Sequence, residues 1–269
     1  MGAFPPMIMA VFTKESREDL IWDFLDACER FNFLVFAISH RSSNTQNSNI
    51  YRMTREYYMG DTDIVTITAN IDFLTDGEDE NYYRGWFDLE RFRNHIKELF
   101  LKNEKDGFYS WNGLRYFLYE YELFLQNNAN TKVRWEDFSK RSKEDTIEHI
   151  FPQSATSEYW KEHFGHLKPS EKRLYLNSLG NLLLLSRSKN SKLQNFDFER
   201  KKCLKNKDGK DIGYYNGSYS EIEVSKQTEW TPEQIKERGL LMLQFMEDRW
   251  KFRFSDWDIN KEDILFPTK

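Results

Sequence analysis

Cysteine is almost absent. The 269 residues contain only Cys28 and Cys203, too few for a disulfide framework, and no CxxC pair exists to hold zinc. Long apolar runs are missing as well. The longest, Ala3 to Phe12, is broken by Pro5 and Pro6 and is too short to span a bilayer. It also lacks the basic leader and small-residue cleavage site of a signal peptide. No glycine-rich phosphate loop, internal repeat or low-complexity tract occurs. The expectation is a soluble, cytoplasmic chain with no membrane partner and no nucleotide-hydrolysing module of its own.

What is present describes a folded protein: 16% aromatic and 31% charged residues, over a length that fits one large domain or two small ones. The net charge of −5 argues against a general affinity for polyanions. The distribution is uneven, however. Between Ser186 and Lys210 stand nine basic residues, Arg187, Lys189, Lys192, Arg200, Lys201, Lys202, Lys205, Lys207 and Lys210, against Asp197, Glu199 and Asp208. A polyanion would dock there first, while a solvated helix face is the competing reading.

Both ends read as helical. Leu20, Phe24, Leu25, Cys28 and Phe31 recur at helical spacing after a start at Ser16, and Leu89 to Leu101 forms another candidate helix. Trp111, Leu114, Phe117, Leu118, Tyr121, Phe124 and Leu125 make one aromatic stripe, a core face rather than a ligand site. Thr231-Pro232-Glu233-Gln234 has the residues of a capping box with proline in the first turn, predicting a helix to about Trp250 that buries Ile235, Met242, Phe245 and Met246. Ser42 to Asn49 and Thr75 to Asn81 read as loops, and Val65 to Ile71 fits a strand or a helical turn equally.

The middle changes character. Thr146 to Gln153 reads TIEHIFPQ, a short strand-like run around Glu148-His149. Leu179 to Asn195 reads LGNLLLLSRSKNSKLQN, followed by FDFERKK. Leu182 to Ser186 has strand length, with Gly180-Asn181 as the turn before it. Strand, long connection, strand and basic helix can bring Glu148, His149 and Asn190 to one point, although neighbours on a strand face opposite ways unless the backbone bends. A neutral imidazole can deprotonate water, and a carboxylate with an amide oxygen can hold a hard cation such as Mg²⁺. A basic helix would grip phosphates without reading bases.

These strings, IEHIFPQ and LGNLLLLSRSKNSKLQNFDFERKK, closely resemble the C-terminal nuclease region of GmrSD-type restriction enzymes, a divergent branch of the HNH, or ββα-metal, nucleases. The likeness is strongest over residues 145 to 202. Tyr116 to Glu122 (YFLYEYE) and the last helix, with Trp230 and Trp250, are also similar to that region. The resemblance implies a metal-dependent DNA endonuclease of anti-phage restriction, using Mg²⁺ or Mn²⁺. It makes His149 the general base, Glu148 and Asn190 the metal ligands, and Asn181 the middle asparagine that supports the histidine loop. Arg187, Lys189, Lys192, Arg200, Lys201 and Lys202 would contact DNA; Asn195 would cap the following helix and Phe198 would pack. Such enzymes pair this region with an NTP-hydrolysing, modification-sensing domain or subunit, which is the implied partner besides DNA.

The expected architecture is mainly α (α+β): a helical region over 1–140 and an HNH-like ββα-metal region with a C-terminal helix over 141–269. The rivals are a non-catalytic DNA-binding or partner-docking module and an RNase or toxin with the same site. His163 and His166 form an HxxH without a third zinc ligand nearby and belong to a surface helix. Cys28 reads as packing, the Arg41 segment as a loop start, and Asp256, Asp258 and Asp263 as a solvated tail.

Overall fold

The computed structural model describes residues 2–78, 85–102, 106–126 and 145–267, with the side chains of 145, 146 and 186–188 outside that description. Among the described residues the fold is mainly helical, with one pair of strands. No helix among them is long and apolar enough to cross a membrane. The chain divides into two compact units, Met1–His95 and Ile96–Lys269.

The first unit holds α1 (Phe4–Lys14), α2 (Glu18–Phe31), α3 (Asn47–Met59) and α4 (Ile64–Asp76). The Pro5-Pro6 pair that breaks the apolar run opens α1, because proline is tolerated where the first helical N–H groups have no partner. Ser42 to Asn49 is only partly a loop. Gln46 takes a left-handed conformation, and Asn47 to Asn49 form the first turn of α3. Val65 to Ile71 is helical: the Asp63 carboxylate accepts Thr66 N–H at 2.8 Å, and Ile64, Ile67 and Ile71 share the buried face. Packing overrides the β-branched preference there. Thr75 and Asp76 end α4, and residues 79–81 of the expected loop lie outside the described residues. Cys28 is packed in this unit's core, as its helical spacing predicts. Arg41 is tied to Trp86 and Asp88, through a 3.2 Å bond to the Trp86 carbonyl and a 3.6 Å ion pair.

The division falls inside α5 (Leu89–Leu101), well before residue 140. The aromatic stripe explains why α6 (Leu114–Gln126) belongs to the second unit: Phe117 and Tyr121 pack against Phe245 of the long helix α12 (Pro232–Trp250). Beneath them the buried Glu122 carboxylate accepts Tyr219 N–H at 2.6 Å and Ser220 N–H at 3.0 Å, capping α11 (Tyr219–Ser225). Phe124, at the far end of the stripe, is exposed.

At the centre lie β1 (Asp145–His149) and β2 (Leu182–Ser186), antiparallel, with Glu148 opposite Leu183 and His149 opposite Leu182. Between them come α7 (Glu158–Phe164) and α8 (Pro169–Leu176). After β2 the chain passes into α9 (Arg187–Leu193), which packs on both strands, and α10 (Phe198–Cys203). Leu182 to Leu185 are all buried, so β2 is covered on both faces and reads as a continuous apolar run. The turn before β2 must be glycine: a Cβ on Gly180 would sit 1.9 Å from the Ile235 carbonyl of α12. α12 begins and ends where its sequence predicts, with Thr231 and Gln234 forming the capping box, and Ile235, Met242, Phe245 and Met246 are buried.

Candidate active site

His149 closes β1, and three sets of bonds hold it there. Lys201, entirely buried on α10, donates to the carbonyls of His149 and Ile150 at 3.0 Å each and to Glu148 Oε1 at 2.5 Å. Asn181, also buried, accepts Phe151 N–H at 2.7 Å on Oδ1 and donates from Nδ2 to the Phe151 and Leu176 carbonyls at 3.0 and 2.9 Å. Trp230 Nε1 donates to the same Oδ1 at 3.1 Å. Asn181 therefore pins the segment that follows the histidine and has no polar atom left for a substrate. Finally, the imidazole itself meets Asn177 Oδ1 through Nε2 at 3.2 Å, and the Tyr109 ring lies against it at 4.7 Å between centroids.

The electrostatics follow from burial. With 7% of its surface exposed, His149 has its pKa pushed down to about 4, chiefly by desolvation of the charged form. The Asn177 bond opposes that shift and the Lys201 charge adds to it. The ring is thus neutral at neutral pH. Among the described residues no group is bonded to its Nδ1, which keeps a lone pair for accepting a proton.

Glu148 lies elsewhere. Side chains alternate along a strand, so Glu148 points to the opposite face, where it meets Lys201 and Tyr214, whose hydroxyl donates at 3.5 Å. Burial raises its pKa and lowers that of Lys201, while each charge counters the shift of the other. The strand pairing stays regular through Glu148 and His149, with the chain bending only at Ile150 and Phe151, and Glu148, bonded to Lys201, does not fit a cation ligand beside His149. No group of three His, Cys, Asp or Glu side chains among the described residues is arranged to hold a metal ion. Asn190 lies half-exposed on α9, the helix packed on both strands.

The expected DNA contacts divide. Lys201 and Lys202 are withdrawn from solvent: Lys202 donates to the Gln227 carbonyl at 3.0 Å, pairs with Glu199 and lies 4.9 Å from the Phe198 ring centre. Lys189 pairs with the buried Glu221. Lys192 and Arg200 are exposed, the latter stacked on Phe196. The side chain of Arg187 lies outside the described residues. Phe198 packs as expected, but the cap of α10 is Asp197, which accepts Arg200 N–H at 2.8 Å, and not Asn195. His163 stacks edge-on against Tyr159 and His166 is exposed. A pocket of about 360 Å³ runs beside the segment after His149, floored by Phe151, Trp160 and Phe164 and edged by Lys161, Lys172 and Arg173.

Asn177, Tyr109 and the inward role of Lys201 are not anticipated by the sequence reading. A signal for Lys201 existed: it lies three residues after Phe198, on the same face of a helix that buries Phe198.

A family model described as GmrSD restriction endonucleases, C-terminal domain, matches residues 68–245. No curated protein and no solved structure shows significant similarity to the chain.

Proposed function

The chain belongs to the GmrSD restriction endonuclease C-terminal domain family, and from that premise we propose that it is an HNH-type endonuclease that hydrolyses DNA phosphodiester bonds with His149 as general base. Membership points to a nuclease role. The observation that carries the finer reading is the state of His149, a neutral imidazole with Nε2 engaged and, among the described residues, no partner on Nδ1, fixed at the end of a two-stranded antiparallel unit followed directly by a helix. Such a ring takes a proton from water as the water oxygen attacks phosphorus, and the clamps from Lys201 and Asn181 keep it in place during that transfer. Lys192 and Arg200, exposed on α9 and α10, are the proposed phosphate contacts.

The reading includes a divalent cation, Mg²⁺ or Mn²⁺, with Asn190 as a proposed ligand. Glu148, bound to Lys201, does not supply its carboxylate. An NTP-hydrolysing, modification-sensing partner completes the restriction activity in this proposal, and the setting is the cytoplasm.

Supercoiled plasmid offered with Mg²⁺ or Mn²⁺, with EDTA, and beside RNA of similar length tests the reading. Nicking of DNA that needs the cation and spares RNA is the expected result. Equal binding without cutting under every condition would leave a DNA-binding module, and cutting of RNA alone would make it a ribonuclease.

A further inference from the structure

Asn177 follows the last turn of α8 and is only 2% exposed. Nδ2 donates to the Arg173 carbonyl at 3.3 Å, which fixes the amide and turns Oδ1 toward His149 Nε2, 3.2 Å away. An amide oxygen accepts and never donates, so the proton of the neutral imidazole must lie on Nε2. The main chain of the same residue acts on the same ring. Its carbonyl accepts Phe108 N–H at 3.1 Å, seating the Gly107–Ser110 turn whose Tyr109 ring covers the imidazole. One buried residue thus fixes the protonated nitrogen by its side chain and one face of the ring by its backbone.

We propose that Asn177 is the positioning residue that selects the basic nitrogen of His149: it holds the Nε2–H tautomer and thereby directs the Nδ1 lone pair to the attacking water. Its part in hydrolysis rests on the endonuclease reading above, whereas the tautomer does not. No proton is transferred to Asn177; the proton taken from water arrives on Nδ1, and the resulting imidazolium keeps its Nε2–H bond to Oδ1. The neighbouring Asn181 cannot substitute, because its amide is already engaged by Phe151, Leu176 and Trp230.

Nitrogen-15 NMR of the histidine-labelled full chain at neutral pH reads the tautomer without any need for activity. The wild type is expected to show a protonated Nε2 and an unprotonated Nδ1 at His149. Asn177→Leu, which removes the acceptor, should give mixed tautomers and cleave DNA about 10- to 100-fold more slowly at saturating DNA, with unchanged DNA affinity. Asn177→Asp keeps an acceptor and should keep the wild-type tautomer. A wild-type spectrum with the proton on Nδ1 overturns the proposal even if the leucine variant does not fold, as does a folded leucine variant with wild-type tautomer and rate. A wild type that shows the Nε2–H form but cuts no DNA supports the tautomer assignment and removes the endonuclease reading.

Discussion

Methionine at position 201 keeps most of the lysine's volume and removes its charge. In the wild type the Lys201 ammonium, with none of its surface exposed, meets Glu148 at 2.5 Å and two backbone carbonyls at 3.0 Å. Lys201→Met therefore leaves a carboxylate buried without a counter-charge, a loss of about 3–5 kcal/mol for breaking one side of such a pair. The carbonyls of His149 and Ile150 lose their shared donor, which adds roughly 1–3 kcal/mol. Glu148→Met together with Lys201→Met removes the stranded charge and should recover most of the first cost but none of the second. Urea unfolding of the full chain measures both. The pH dependence adds a sign. Burial raises the pKa of Glu148 above its ordinary 4.5 and Lys201 holds that rise down. In Lys201→Met it therefore rises further, the folded variant takes up its proton at higher pH than the wild type, and folding of the variant gains more as pH falls. The deficit of the variant relative to wild type should therefore narrow from pH 7 to pH 5. A variant within about 1 kcal/mol of wild type, or a deficit that does not narrow, would refute the buried pair.

Three further outcomes follow from the same structure. His149 has a folded pKa of about 4 against an ordinary 6.5, so between these values the unfolded chain takes up a proton that the folded chain refuses. Stability should fall by about 3 kcal/mol as pH drops through that window, and the acid limb of kcat/KM should lie near pH 4; a limb at 6.5 would mean a solvated imidazole. Gly180→Ala drives a methyl group into the Ile235 carbonyl and should cost about 1–3 kcal/mol in urea unfolding, with an unchanged midpoint as the contrary result. Lys192→Ala should weaken DNA binding and lower its logarithmic salt slope by about 1, while Lys202→Met should leave the slope unaltered; equal slopes for all three proteins would remove α9 from the interface.

Local rules made several elements legible. The four leucines of β2 need only length and β-like composition, and α12 is bounded by its own capping box and proline. The placing of His149 beside Asn181 also came through: LGN and EHI meet at one end of the strand pair, because His149 closes β1 opposite Leu182, the residue after Asn181. What stayed hidden depends on partners distant in sequence. Nothing local to Lys201 says that its ammonium reaches Glu148, 53 residues earlier, so the basic run read as a phosphate-binding face. Asn177 is a plain amide until α8 and β1 converge on it. Val65 to Ile71 fits either strand or helix in sequence because β-branched residues favour strands, and packing of α4 on α2 settles the helix. The Glu148-His149 pair illustrates the limit most sharply: the family resemblance implies Glu148 as a metal ligand beside the base, whereas Glu148 is bonded to Lys201 and Tyr214 and His149 to Asn177.

The most direct measurement is the single-turnover rate of DNA cleavage by wild type and His149→Ala, at saturating protein and neutral pH, with DNA affinity determined for both. Loss of the base predicts a rate lower by about 10²–10⁴-fold with affinity within a factor of about two. Cleavage by the alanine variant at the wild-type rate would contradict the account.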